Sequence, residues 1–200
     1  SRRSAIDSYQ RSLALRREVA EQRPDDAESL RSLARTLNLT GDALQWKGDV
    51  PAALGAYEEA AAILDRASAL APENLGIRRE RAANRSKLGD VLMWSGRHQE
   101  AVQPLRDALD LMIEVAADER STTRDQAGVA VSYSKVSFVL ATLGDGDGAV
   151  EHARQALELV RAAAEREPTD AILQRNLSVQ HNQYAATLVA TDRLDAAREG

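Results

Sequence analysis

The chain has 200 residues, 44% hydrophobic and 28% charged, with 31 acids against 26 bases and a net charge of −5. This is enough apolar content for one substantial core, but the acidic balance is poor for a dedicated nucleic-acid binder, whose phosphate contacts need a cationic surface. The absence of cysteine removes disulfides, thiolate metal sites and cysteine nucleophiles, and no apolar run approaches the roughly 18 residues of a membrane span.

The first residues, Ser1-Arg2-Arg3-Ser4, lead into no hydrophobic signal segment, so a cytoplasmic location is expected. Apolar residues then recur at three- and four-residue spacing without β-branched runs, which predicts helices rather than strands. Residues 1–23 read as one helix, closed by Pro24. Asp25 and Asp26 cap the next, because a carboxylate accepts the free N–H bonds of a first helical turn and suits its positive end. A helix of about 22 residues follows, to the break at Lys47-Gly48-Asp49, where glycine suits the left-handed turn. Asp49 and Pro51 start a returning helix that reaches Pro72.

The cycle repeats. Glu73 and Asn74 open a helix ending at Ser95-Gly96-Arg97, and the helix after it contains Pro104, which should bend it or delay its start. Arg120 replaces the opening proline of the next cycle, whose internal break is Leu143-Gly144-Asp145-Gly146-Asp147. Pro168, Thr169 and Asp170 open the last, and a further helix is expected to begin at Asp195.

These units share a stride of 48 residues. Trp46, Gly48 and Ala53 recur as Trp94, Gly96 and Ala101, then as Thr142, Gly144 and Ala149, then as Ala190, Asp192 and Ala197. Leu44, Leu92, Leu140 and Leu188 form an unbroken column. Small residues mark close helix approach: Gly41, Gly89, Ser137 and Ala185 in the first helices, Ala53, Ala101, Ala149 and Ala197 early in the second, and Ala60, Ala108 and Ala156 later. Larger residues, among them Leu54, Tyr57, Leu105, Leu111 and Leu159, are expected to fill the space between.

A hairpin cannot bury its apolar stripes alone, so consecutive hairpins must stack. The predicted fold is all-α, a right-handed superhelical α-solenoid of antiparallel hairpins with about seven long helices and a C-terminal stub. It forms one domain over 1–200: the second helix of a cut repeat (1–23), three repeats (24–71, 72–119, 120–167) and a cut repeat (168–200). Repeats cut at both ends suggest a piece of a longer protein, and their bare apolar edges suggest end-to-end self-association.

Gly41, Leu44, Gly48, Ala53, Tyr57 and Ala60, with their copies 48 residues on, resemble the tetratricopeptide repeat (TPR), whose usual period is about 34 residues. The added length should extend both helices of each unit by about two turns. The segment Gln174-Arg175-Asn176-Leu177-Ser178-Val179 is similar to long-period arrays in multidomain bacterial signalling proteins. That likeness implies placement after a serine/threonine kinase or nucleotide-binding switch domain. The resemblance also implies that first helices line a concave, peptide-binding side.

Catalytic signals are sparse. His98, His152 and His181 occupy different repeat positions, none paired at the i, i+4 spacing of a helical metal site. Asp145-Gly146-Asp147-Gly148 starts like a calcium loop, but the closing ligand position falls on Ala156, so the segment reads as a turn. Phosphate loops, dinucleotide-binding loops, kinase signatures and nucleophile elbows do not occur. No cofactor, metal or catalytic residue is therefore assigned.

On the first helices, the face opposite the small-residue column reads Arg31, Arg35, Asn38 and Asp42 in one unit, and Arg79, Ser86 and Asp90 with Lys87 beside them in the next. The third and fourth units give Ser134, Phe138 and adjacent Lys135, then Arg175 and Asn182, with Val131 and Val179 making this half more apolar. Such a groove suits a peptide with acidic groups on the arginines and an apolar side chain near Phe138. Solvated helix faces carrying intrahelical ion pairs explain the same residues. The TPR carboxylate clamp is not reproduced, because Asp42 and Asp90 stand where it needs asparagine. Trp46 and Trp94, at repeat-locked positions, are expected to pack against the following hairpin rather than to anchor a partner. The basic run from Arg78 to Lys87 reads as a solvated face.

The leading expectation is a non-catalytic module that binds a peptide or protein surface, with neither nucleic acid nor membrane as partner. The alternative is a regulatory or spacer array that contacts another domain of its own chain.

Overall fold

The computed structural model describes the backbone of residues 2–191 and the side chains of residues 9–191. Every element among them is helical: α1 (Arg2–Gln22), α2 (Ala27–Lys47), α3 (Val50–Leu70), α4 (Leu75–Trp94), α5 (His98–Ala117), α6 (Thr123–Thr142), α7 (Gly146–Arg166) and α8 (Ala171–Ala190). The long helices number eight among the described residues, in line with the expected all-α repeat of about seven. The expected stub at Asp195 lies outside the described residues.

The first helices α2, α4, α6 and α8 begin at residues 27, 75, 123 and 171, and the second helices α3, α5 and α7 at 50, 98 and 146. Both series advance by the sequence stride. Side-chain chemistry accounts for the boundaries. Gly48, Gly96 and Gly144 adopt positive φ of 86°, 75° and 85°, a region that disfavours any residue with a Cβ. Asp26 caps α2 by accepting from Glu28 N, and Asn74 caps α4 by accepting from Ile77 N. At α6, where the opening proline is missing, a capping box replaces it: Thr122 accepts from Asp125 N while the Asp125 carboxylate accepts from Thr122 N. Asp145 caps α7 through Gly148 N, so the Asp-Gly-Asp-Gly segment, expected as a turn, is instead the cap and first turn of that helix. Pro104 lies inside α5 without delaying its start, since six residues of that helix precede it.

The chain forms two compact units, Ser1–Arg97 and His98–Gly200. In the first, α2 packs along α3 as a hairpin, α1 lies against α2, and α4 against α3 and α2. Its core joins Ala20 of α1, Leu30, Leu33, Ala34 and Leu37 of α2, Ala60, Leu64 and Ala67 of α3, and Ile77 of α4. Leu37, Leu64 and Ile77 are almost wholly buried, and burying each such side chain contributes about 1.5–3 kcal/mol. In the second unit α6 pairs with α5 and α7, and α8 with α7 and α6. Ala130, Ala156 and Val160 form its centre, with Tyr133 and Leu177 packed on them.

The small columns behave as close-approach points. Ala53, Ala60, Ala101, Ala149 and Ala156 have no exposed surface, and Ala108 has almost none. Two positions depart from expectation. Ala185 is exposed, because among the described residues α8 is covered only by α6 and α7. Leu159 is 44% exposed, at the mouth of a cavity rather than inside the core.

Candidate functional site

An α-helix turns about 100° per residue, so Leu30, Leu33, Leu37, Gly41 and Leu44 share one side of α2 and face the core. Arg35, Leu39, Asp42 and Trp46 fall on the opposite side. The 48-residue stride repeats this row as Ala83, Lys87, Asp90 and Trp94 on α4, as Val131, Lys135, Phe138 and Thr142 on α6, and as Val179, Gln183, Ala186 and Ala190 on α8. All sixteen are exposed or half-buried.

The row differs from the sequence-based groove at two places in α2. Asn38, assigned to the groove, is 4% exposed. It lies about 100° around the helix from Leu37 and points toward α4, where its Oδ1 accepts from Asn84 Nδ2 at 2.8 Å. Arg31 is half-buried, its Nε donating to both carboxylate oxygens of Glu28 at 3.0 and 2.9 Å, so its charge is already met on its own helix. A similar bridge between first helices recurs two repeats later, where Ser134 Oγ donates to Gln180 Oε1 at 3.0 Å between α6 and α8. Ser134 is thus partly committed to joining first helices. Ser86 and Arg79 are half-buried on α4, and Arg175 and Asn182 are exposed on α8.

Of the charged candidates, the structure brings Asp42 and Lys87 together, with Lys87 Nζ 2.6 Å from Asp42 Oδ1. The same carboxylate accepts the Tyr57 hydroxyl at 2.8 Å, and Gln45 Oε1 stands 3.2 Å from that hydroxyl. Asp42 therefore ties α2 to both α3 and α4, which is why it is no free ligand group. The Tyr57 side chain is fully buried. Burial first, then the hydrogen bond to Asp42 and the Asp42 and Asp90 charges, push its ionisation well above the ordinary tyrosine range. Above about pH 10 an unfolded tyrosine loses its proton while folded Tyr57 keeps it. The native state then binds more protons, and stability falls as pH rises, by up to about 1.4 kcal/mol per pH unit for this one group. Tyr57→Phe should flatten that alkaline loss in urea melts at about pH 10–12, while costing about 0.5–1.5 kcal/mol at neutral pH through the lost hydrogen bond. An unchanged alkaline slope would show that Tyr57 already ionises in the fold.

The tryptophans overturn their expected burial. Trp46 is 88% exposed and Trp94 84%. Each stands in the last turn of a first helix, on the row opposite the core, so no following hairpin covers it. The signal is present in the sequence: Trp46 is four residues after Asp42 and seven after Leu39, out of phase with the Leu37–Leu44 stripe. In the second unit the row is apolar at Val131 and Phe138, which are 51% and 64% exposed, and at Val179, 43% exposed.

The basic run is more paired than its composition suggests. Arg81 and Arg85 both reach Asp65 on α3, at 3.1 and 2.7 Å. The histidines lie apart: His98 opens α5, His181 is exposed on α8, and His152 Nδ1 is 2.7 Å from Gly148 O with its ring 5.9 Å from that of Tyr133. No group of three or more His, Asp or Glu side chains among the described residues is placed to hold a metal ion. No helix among them is long and apolar enough to cross a membrane.

Residues 81–118 and 129–170 match the family profile described as tetratricopeptide repeat. Among solved structures, a Podosopora anserina putative kinesin light chain with nearly identical TPR-like repeats aligns over 99% of this chain and 87% of its own, at 19% identity and a TM-score of 0.63. A variant of that putative light chain gives the same TM-score of 0.63 at 18% identity, over 99% and 86% of the two chains. The yeast histone chaperone Hif1, described as a scaffold protein recruiting protein complexes to core histones, aligns over 94% of this chain and 97% of its own, at 12% identity and a TM-score of 0.52. No curated protein matches the sequence. With its capped helices advancing by a constant stride and its glycine turns in fixed register, the chain has a TPR-like helical-repeat fold, and two stretches of it match the tetratricopeptide-repeat profile.

Proposed function

We propose that this chain is a non-catalytic protein-interaction module whose binding surface is the outward row of its first helices. The observation that carries this reading is the exposure of Trp46 and Trp94. A solvated indole leaves a large apolar area in water, and tryptophan is among the residues most enriched where partner proteins bind tightly. Two of them at equivalent positions of successive first helices, with Leu39 on the same row, make an anchor pair rather than a scattered surface residue. Asp42, Lys87 and Asp90 supply a polar border between them. In the second unit Val131, Phe138 and Val179 give the corresponding row an apolar character. The fold supports a scaffold role in general, and a peptide or protein surface is the partner class that such a row fits.

The chain contains two tryptophans, so its emission reports this surface directly. Acrylamide should quench the native protein nearly as well as the urea-unfolded chain. Peptides selected on the protein from a displayed library should shift the emission to the blue and protect it from quencher. Trp46→Ala with Trp94→Ala should leave the melting temperature within about 2 °C, because exposed substitutions cost little, yet weaken the selected peptides by at least about 30-fold, the effect of losing one hot-spot residue. Undiminished peptide binding by the double variant would remove this surface from the proposal.

A further inference from the structure

The second unit carries a cavity of about 470 Å³, open to solvent on one side, between the C-terminal halves of α5 and α7 and the N-terminal halves of α6 and α8. Its origin lies in the repeat. In the first unit, residues 48 earlier form a polar cluster: Asp65 of α3 pairs with Arg81 and Arg85 of α4, and Arg81 Nη1 stands 3.4 Å from Ser68 Oγ. The equivalents in the second unit are Ile113, Val129, Tyr133 and Ala116, all of which line the cavity. A salt-bridged cluster is thereby replaced by less polar side chains, and the second unit has its cavity at the corresponding place.

Arg166, at the end of α7, is the single charged side chain among the cavity's lining residues, and the remaining polar lining comes from Thr123, Gln126, Tyr133 and Asn176. Arg166 is exposed in the last turn of its helix, so its guanidinium is available to an incoming anion. The volume falls within the range of about 300–1,000 Å³ typical of small-molecule sites. An apolar cavity with one cation at its rim favours a ligand with an apolar body and one negative head, which sets the charge on the arginine and the rest against the apolar lining.

We infer that this cavity is a binding site for a small amphipathic carboxylate, its aliphatic part between Ile113, Val129 and Leu159 and its carboxylate on Arg166. The site is independent of the tryptophan-bearing row, which belongs to the other unit.

Isothermal titration of the intact chain with decanoate, below its micelle concentration, tests this. The expected result is saturable one-to-one binding. Arg166→Gln should weaken decanoate by about fivefold, the upper range for an exposed charge pair, and leave the neutral analogue decanol unchanged. Ala163→Phe, which narrows the lining from α7, should weaken both. Its circular dichroism melt establishes that it folds, and should it not fold, the Arg166→Gln comparison decides alone. Absence of saturable decanoate binding, or binding that Arg166→Gln leaves unaltered, overturns the inference. So does an acidic amphipathic peptide that binds at the cavity, blocked by Ala163→Phe, where decanoate does not.

Discussion

Gly41→Ala is expected to destabilise the first unit, although alanine is the better helix former by about 1 kcal/mol. A Cβ at residue 41 would stand 2.5 Å from Tyr57 Cε1 and 2.8 Å from Cδ1 and Cζ, closer than carbon atoms pack. The ring cannot yield easily: it is fully buried, and its hydroxyl is held by Asp42 at 2.8 Å. Overpacking of this kind costs about 1–3 kcal/mol, or several degrees in melting temperature. Gly55→Ala is the matched control, since it too lies within a helix but has nothing within 4 Å of an added Cβ. It should stabilise by up to about 1 kcal/mol. Thermal melts of the two variants should therefore move in opposite directions. Movement in the same direction would mean that Tyr57 and Gly41 are not in the contact described.

Asn84→Ala should cost about 2–4 kcal/mol in urea unfolding. Asn84 is 1% exposed, and its amide donates to Asn38 Oδ1 at 2.8 Å and to Tyr57 O at 3.0 Å. Truncation removes both bonds, leaves the Asn38 carboxamide buried without its partner, and opens space between α2, α3 and α4. Asn38 Nδ2 and Asn84 Oδ1 are themselves buried without a protein partner. Each asparagine thus makes only part of its possible bonding. Replacing both with leucine, a side chain of similar shape, should lie closer to the parent than either single replacement, since two apolar groups leave nothing unsatisfied. A double-mutant cycle measures that coupling. Additive losses would falsify the pairing as an energetic unit.

The buried pair also shows where sequence reading runs out. The stride of 48, the glycine turns and the capping residues are local. An aspartate or asparagine just before an apolar stripe caps a helix wherever the helix later packs, and positive φ admits glycine before any tertiary contact forms. Helix starts are therefore legible to within a few residues, and so is the helical-repeat fold. The outward face is harder. Arg31, Arg35, Asn38 and Asp42 appear on a helical wheel as one polar arc, yet only Arg35 and Asp42 lie on the row opposite the core. Asn38 sits on the flank that α4 covers, and Arg31 is drawn down to Glu28. A wheel separates apolar from polar but does not say which polar flank will meet a neighbouring helix, and that depends on the crossing geometry of two helices one 48-residue stride apart.

Trp46 and Trp94 defeat the sequence reading for a related reason. Their recurrence in the repeat suggests packing, because positions kept at constant spacing usually serve the stack. Their phase relative to Leu37 and Leu44 says the opposite, and phase decides which side of a helix a residue occupies. The cavity of the second unit needs coordinates altogether. That Asp65, Arg81 and Arg85 become Ile113, Val129 and Tyr133 can be read from the repeat, but whether a cavity stands at that place cannot.

What the amino-acid order determines unaided is thus everything that short-range geometry and capping control: the helical segments, their turns and their common stride. What tertiary structure decides is the use of each polar or aromatic side chain, as an inter-helix bridge at Asn38 and Asn84, as a solvated indole at Trp46 and Trp94, or as one cation at the rim of an apolar cavity at Arg166. Caps and turns are satisfied by atoms within a few residues, whereas burial, pairing and empty volume are properties of groups that meet only when distant helices pack.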